Sequence, residues 1–130
     1  VGSFLVKHLR INWIEGEKHF RNCLLDFNKA NNIAQWQWVA GCGADAAPYF
    51  RIFNPILQGE KFDKEGLYVK KWIPELEKVP PKFIHKPWEM ELKYQEAIKT
   101  IIGKNYPKPI VIHEEARTAA LKAFQYLKKV

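Results

Sequence analysis

Apolar residues recur at helical spacing near the start of the chain. In residues 3–11, SFLVKHLRI, Leu5 and Leu9 lie one helical turn apart. Ser3 precedes them, and a serine hydroxyl often accepts a hydrogen bond from the first free N–H groups of a helix. A second helix is predicted over residues 14–27, IEGEKHFRNCLLDF, whose apolar positions share one face: Phe20, Leu24 and Phe27.

Glycine and proline interrupt residues 41–87, and this density predicts short turns of helix joined by loops. KEGLYVKKW, residues 64–72, is predicted to be one short helix. ELEKVPPKFIHKPW, residues 75–88, is predicted to be an extended surface segment, because a residue before proline is driven away from α geometry. Three nearby aromatic residues are predicted to be core residues: Tyr49, Phe50 and Phe53.

The last part of the chain is again helical in pattern. A helix that begins near Pro87 has an irregular apolar face over residues 88–102, and Gly103 ends it. Residues 113–130, HEEARTAALKAFQYLKKV, give the strongest pattern, with acids early and lysines late, as the helix dipole favours. No alternating stretch is long enough to predict a sheet, so the chain is predicted to be all-α.

The chain has 130 residues and a formal charge of +7. The length suits one domain or part of one, and a basic surface suits nucleic acid, an anionic cofactor or anionic lipid as a partner. The first residue is Val1 rather than Met, so we expect a fragment. No secretory leader or membrane span is apparent, and we expect a soluble, cytoplasmic protein.

The cysteines and histidines show no metal-binding spacing. Cys23 and Cys42 form no CxxC pair, and the four histidines fit neither HxxxH nor HExxH. We therefore predict no metal site and two buried thiols.

Two tryptophans stand two positions apart in NNIAQWQWVAG, residues 31–41. On a helix, residues two apart point in nearly opposite directions, whereas residues four apart share a face. Trp36 and Trp38 would thus meet different surroundings, with Asn32 on the side of Trp36. From spacing alone, the pattern is explained by a helix whose two indoles fill two separate parts of the core. On a strand, both indoles would instead lie on one side and form a stacking platform.

Several motifs in order resemble the C-terminal flavin-binding region of the DNA photolyase and cryptochrome family. They begin with SFLVKHLRINWIEGEKHF and NNIAQWQW, continue through RIFNP, QGEKFD and WIPEL, and end with YPKPIVIHEEAR. The resemblance covers nearly the whole chain and is to class I photolyases of cyclobutane pyrimidine dimers. It implies that residues 1–130 are the C-terminal portion of a helical FAD-binding domain, with an α/β antenna domain upstream.

The resemblance implies three contacts with FAD. Asn32 is similar to the asparagine that faces the reactive ring nitrogen, where a neutral amide can hydrogen-bond the reduced flavin. Asparagine there is typical of photolyases, whereas plant cryptochromes tend to have Asp and animal cryptochromes Cys. Asp26 is similar to a carboxylate that pairs with an arginine, here upstream of Val1. Asn28 replaces the second aspartate of many relatives, so its contact would run through the backbone.

Four further residues resemble the family's electron-transfer and substrate groups. Trp36 is similar to the tryptophan nearest the flavin, and Trp13 to the next member of a relay that carries electrons to it. Indoles are readily oxidised and delocalise the resulting charge, so they can pass an electron in steps. Trp38 would pack against the damaged bases, and Arg51 would contact the substrate or its phosphate.

The implied activity is light-driven repair of cyclobutane pyrimidine dimers in DNA by electron transfer from reduced FAD. The dimer has to leave the base stack, and photolyases are an accepted example of such base flipping. The expected partner is damaged DNA, and an antenna chromophore would bind upstream. We expect a monomer with no membrane association. Residues 1–130 alone should hold FAD weakly, because upstream groups are missing.

Two other functions fit the sequence. A cryptochrome-type blue-light receptor, including the DASH type, shares the asparagine at position 32 and would signal without repairing duplex DNA. A small helical DNA-binding module without flavin would also be basic. Repair of a dimer-containing duplex distinguishes a photolyase from the first, and flavin absorption excludes the second.

Overall fold

The computed structural model of the protein describes residues 1–46 and 51–127. Within these ranges the chain forms helices and turns, with one isolated bridge between Ile102 and Tyr106 and no strand. The all-α prediction is therefore confirmed. Tyr49 and Phe50, predicted to be core residues, lie outside the described residues, as do residues 128–130.

The chain divides into two compact units, one formed by Val1–Phe53 with Val111–Val130 and the other by Asn54–Ile110. A π-helix, Phe4–His8, comes first. The α-helices that follow are α1 (Trp13–Cys23), α2 (Lys29–Ala40), α3 (Pro55–Phe62), α4 (Leu67–Trp72), α5 (Leu92–Ala97) and α6 (His113–Leu127).

In the first unit, α1 and α2 pack against each other, and a capping asparagine precedes each of them. Oδ1 of Asn12 accepts a hydrogen bond from the N–H of Ile14 at 3.1 Å, and Oδ1 of Asn28 accepts one from Asn31 at 3.0 Å. These caps satisfy N–H groups that the helices cannot pair internally. α2 ends at Gly41, whose φ of +76° is costly for any residue with a Cβ.

The predicted helix over residues 14–27 extends too far. α1 ends at Cys23, and Leu24 is extended with φ −78° and ψ 128°, so Leu24 and Phe27 do not continue the face of Phe20. The chain has to turn back here because α2 packs on α1. No glycine or proline marks this end in the sequence.

Two smaller predictions are also wrong. Ser3 is itself helical, with φ −61° and ψ −40°, and its side chain makes no capping hydrogen bond. Cys23 and Cys42 are exposed rather than buried.

A pair of histidines connects α6 to the π-helix. Nε2 of His8 and Nδ1 of His113 lie 2.9 Å apart, and the ring centroids are 5.1 Å apart. His8 is 5% exposed. Burial lowers the pKa of His8, and a charge on His113 lowers it further. The contact is therefore made by a neutral His8 ring.

This lowered pKa predicts that acid destabilises the chain. An unfolded histidine takes up a proton near pH 6.5, whereas the folded His8 resists protonation, so stability falls as the pH drops below the unfolded value. His8→Gln is expected to lose less stability than the parent between about pH 7 and pH 5. Denaturant unfolding at each pH measures this loss. His19→Gln, at an exposed position, should keep the parent's pH dependence; an unchanged profile in His8→Gln would contradict the prediction.

The second unit contains the most deeply buried side chains that the structure describes. Leu76 and Ile84 are 1% exposed, Val79 is 0% exposed, and Met90 completes their cluster at 4%. Three of these residues lie in the segment 75–88, so the prediction of an extended surface segment is wrong.

The local rule behind that prediction nevertheless holds. Three residues that precede a proline have ψ values away from α geometry: 84° at Ile73, 153° at Pro80 and 58° at Lys86. Each following proline begins one turn of 3-10 helix: Pro74–Leu76, Pro81–Phe83 and Pro87–Glu89. Short turns at these prolines bend the segment around its own apolar side chains.

The predictions for residues 64–72, for residues 88–102 and for Phe53 are partly right. α4 confirms the short helix within residues 64–72. In residues 88–102 the α-helix is limited to α5, and the backbone of Lys99 has a φ of +60° before Gly103 is reached. Phe53 is 47% exposed and is not a core residue.

Candidate functional site

Asn32 is buried where α2 packs on α1. It is 7% exposed, and its Nδ2 donates hydrogen bonds to the backbone carbonyl of Glu17 at 3.0 Å and to Glu17 Oε1 at 3.1 Å. Asn32 and Trp36 are the buried residues of α2, one turn apart, as the spacing predicts. The amide therefore links the two helices.

Glu17 and Arg21 complete this group, and sequence reasoning missed both. The Glu17 side chain is 3% exposed, and Arg21 donates from Nε to Oε1 at 3.2 Å and from Nη2 to Oε2 at 2.6 Å. An acid and a base four residues apart on a helix are a known ion-pair pattern, so a signal was present. We call Arg21, Glu17 and Asn32 the amide cluster.

Trp36 packs against the backbone of α1. It is 4% exposed, and its ring meets Phe20 edge-on, with centroids 5.1 Å apart and planes at 79°. A Cβ on Gly16 would lie 2.2 Å from Cη2 of Trp36, so only glycine leaves room for the indole. Trp38 is 41% exposed. The two indoles do face different surroundings, but Trp38 does not fill a second part of the core.

Trp13 begins α1 and is half-buried. It lines an open cavity of about 450 Å³ together with residues that include Lys7, Arg10 and Phe124. Gly16, which contacts Trp36, lies three positions further along α1. Trp13 and Trp36 therefore both adjoin the first turn of that helix.

The loop between α1 and α2 carries the other two predicted cofactor residues. Asp26 is exposed and makes no ion pair with the described residues, whereas the side chain of Asn28 caps α2. Leu24 and Leu25 are 40% and 107% exposed. The loop thus leaves one carboxylate and two apolar side chains exposed.

Arg51 is exposed, and its segment is tied to the π-helix. Its backbone carbonyl accepts a hydrogen bond from Nζ of Lys7. Lys7 is 4% exposed, and burial lowers its pKa. The contact holds the Arg51 backbone and leaves the guanidinium exposed.

Within residues 1–46 and 51–127, no three His, Cys, Asp or Glu side chains are arranged to hold a metal ion. No helix in the described part of the chain has the length and apolar character of a membrane span.

Comparison with known proteins relates this chain to DNA photolyases. A family described as the FAD binding domain of DNA photolyase matches residues 1–126. The deoxyribodipyrimidine photo-lyase of Agrobacterium fabrum is 57% identical over 129 residues, which are 99% of this chain and 27% of that protein. The chain thus spans about a quarter of that relative's length.

Solved structures agree. A class III photolyase from Agrobacterium tumefaciens superposes with a TM-score of 0.91 at 56% identity, over 99% of this chain and 27% of that one. A cryptochrome from Synechocystis superposes with a TM-score of 0.85 at 36% identity, over 93% of this chain and 25% of that one. Because the match extends over almost all of its residues, this chain belongs to the family of the FAD-binding domain of DNA photolyases.

Proposed function

We propose that this chain supplies helices that face FAD in a DNA photolyase, and that the whole protein repairs cyclobutane pyrimidine dimers in light. The observation that carries the proposal is the buried Asn32 amide. Its hydrogen bonds to the described residues are the two that Nδ2 donates to Glu17. Oδ1 is thereby kept as an acceptor for a ligand.

The loop between α1 and α2 offers side chains that fit a flavin. An isoalloxazine ring has apolar faces and a polar edge, and the loop between α1 and α2 presents Leu24 and Leu25 beside the Asp26 carboxylate. The amide of Asn32 can accept a hydrogen bond from a ring N–H without donating an acidic proton. FAD, when bound and reduced, would supply the electron that splits the dimer after light is absorbed.

The indoles then have separate tasks. Trp36 and Trp13 adjoin one turn of α1 and would pass electrons towards the cofactor. Trp38 is on the exposed side of α2, where it can stack on a flipped base, and such stacking contributes about 1–3 kcal/mol per base. The exposed Arg51 would pair with DNA phosphate, in keeping with the charge of +7.

The resemblance to photolyases supports four finer proposals about the whole protein. It would belong to class I, work as a monomer in the cytoplasm, and bind an antenna chromophore outside residues 1–130. The class stays a prediction, since the Agrobacterium tumefaciens structure is of a class III photolyase.

The cryptochrome-type receptor remains the second candidate, because a Synechocystis cryptochrome is 36% identical over 93% of this chain. The test is a chimera in which this chain replaces the matching 129 residues of the Agrobacterium fabrum photo-lyase, called the chimera below. We expect blue-light repair of a dimer-containing duplex within about tenfold of the parent enzyme, a difference of roughly 1.4 kcal/mol. A chimera that holds fully reduced flavin but repairs no duplex would favour the receptor.

A further inference from the structure

Glu17 is a buried carboxylate whose described hydrogen bonds come from two sides. Asn32 donates to Oε1 from α2, and Arg21 donates to both oxygens from one turn further along α1. The Arg21 side chain is 47% exposed, so its guanidinium connects the buried carboxylate with solvent. Charge-assisted, two-point pairs of this kind hold a carboxylate in one geometry.

The partners of the Asn32 amide determine which way it points. One partner is the backbone carbonyl of Glu17, and the other is a carboxylate oxygen held by Arg21. Both accept hydrogen bonds, so the NH₂ end must face them and Oδ1 must be turned away.

We propose that Arg21 is a positioning residue for the cofactor: it keeps Glu17 as an acceptor, so that Asn32 presents Oδ1 to the flavin ring. The proposal rests on the function proposed above. A reduced flavin carries an N–H at its central reactive nitrogen, whereas the oxidised ring has only a lone pair there. An amide held with Oδ1 outward therefore favours the reduced form.

Loss of Arg21 would weaken this selection. A carboxylate that is buried without its counter-ion is costly, which favours the neutral acid. A carboxylic acid has an O–H that donates, and it could donate to Oδ1 of Asn32 only if the amide reversed and brought that oxygen to the Glu17 side. The acid would thus compete for the same Oδ1 and promote the reversed amide.

The first test needs no flavin. In the 130-residue chain, NMR should show the side-chain NH₂ of Asn32 protected from solvent exchange. Protection should fall by about tenfold in Arg21→Gln, as expected when a hydrogen bond to a charged group is lost, and by less in Arg21→Lys, which keeps the charge but not the planar fork. Lys18→Gln removes an exposed ion pair with Glu15 on the same helix and is the matched control, expected to match the parent.

The second test uses the chimera. The ratio of affinities for reduced and oxidised FAD, obtained from the midpoint potential of the bound flavin, should fall by about three- to tenfold in Arg21→Gln. It should fall less in Arg21→Lys and stay unchanged in Lys18→Gln. Because Arg21→Lys preserves the charge, any fall in the affinity ratio of that variant results from the lost two-point contact with Glu17 rather than from the long-range field of the charge.

The outcomes separate the inference from the proposed function. If the chimera holds no FAD, the proposed function fails while the amide measurement still stands. If the chimera holds FAD and repairs DNA, but Arg21→Gln matches Lys18→Gln in both measurements, the positioning role is overturned. If Arg21→Gln does not fold, Arg21→Lys decides: values equal to the parent in both measurements overturn the proposal.

Discussion

Replacing Trp36 by Phe in the chimera is expected to slow light-driven reduction of the bound flavin by at least about a hundredfold, equivalent to roughly 3 kcal/mol in the barrier. Trp36 is buried one turn from Asn32, and a phenyl ring is far harder to oxidise than an indole. The relay that arrives through Trp13 would end there. Flavin absorption, followed during illumination with an external reductant, measures the rate.

Trp38→Phe is the matched control for this change. It makes the same tryptophan-to-phenylalanine change two residues further along, on the exposed side of α2. Flavin reduction should keep the parent rate, while affinity for dimer-containing DNA should fall several-fold because stacking area is lost. Chemically reduced Trp36→Phe should still repair dimers. Equal photoreduction in Trp36→Phe and the parent would remove Trp36 from the relay.

Gly16→Ala is expected to lower the free energy of unfolding by about 1–3 kcal/mol, the usual cost of overpacking a core. Alanine is normally better than glycine within a helix, by roughly 0.5–1 kcal/mol. Here the added Cβ would lie 2.2 Å from Cη2 and 2.5 Å from Cζ3 of Trp36. The indole is rigid and 4% exposed, so it cannot move aside without disturbing its neighbours, and the clash outweighs the gain.

Denaturant unfolding, followed by circular dichroism, measures this loss. Asn22→Ala, at an exposed position of α1, is the control and should change stability by less than about 0.5 kcal/mol. In a Trp36→Phe background the smaller ring leaves space, so Gly16→Ala should lower the free energy of unfolding by less than it does in the parent. Equal costs in the two backgrounds would show that Gly16 and Trp36 are not coupled.

The parts of the fold that the sequence predicted correctly depend on local spacing. α6 has a dense helical pattern, and in α2 the exposed Trp38 and the buried Trp36 point in different directions, as a period of 3.6 residues requires. The fixed period of a helix determines which side chains share a face, so these directions can be predicted without knowing which elements pack against the helix.

The parts that were missed depend on contacts between distant residues. In the segment 75–88 the backbone obeys the proline rule at Pro80 and Lys86, yet Leu76, Val79 and Ile84 are buried in one cluster because the short turns bring them together. Glu17 resembled an ordinary charge near the start of a helix. Its burial becomes apparent only when α2 brings Asn32 to within 3.1 Å.

The contact between Gly16 and Trp36 has an evolutionary consequence. In a lineage that loses the large ring at position 36, position 16 is released to drift towards alanine or serine, whereas a lineage that keeps the ring has to retain the glycine. The smallest residue of α1 thus becomes a marker, in sequence surveys, of descendants in which the proposed relay has been lost.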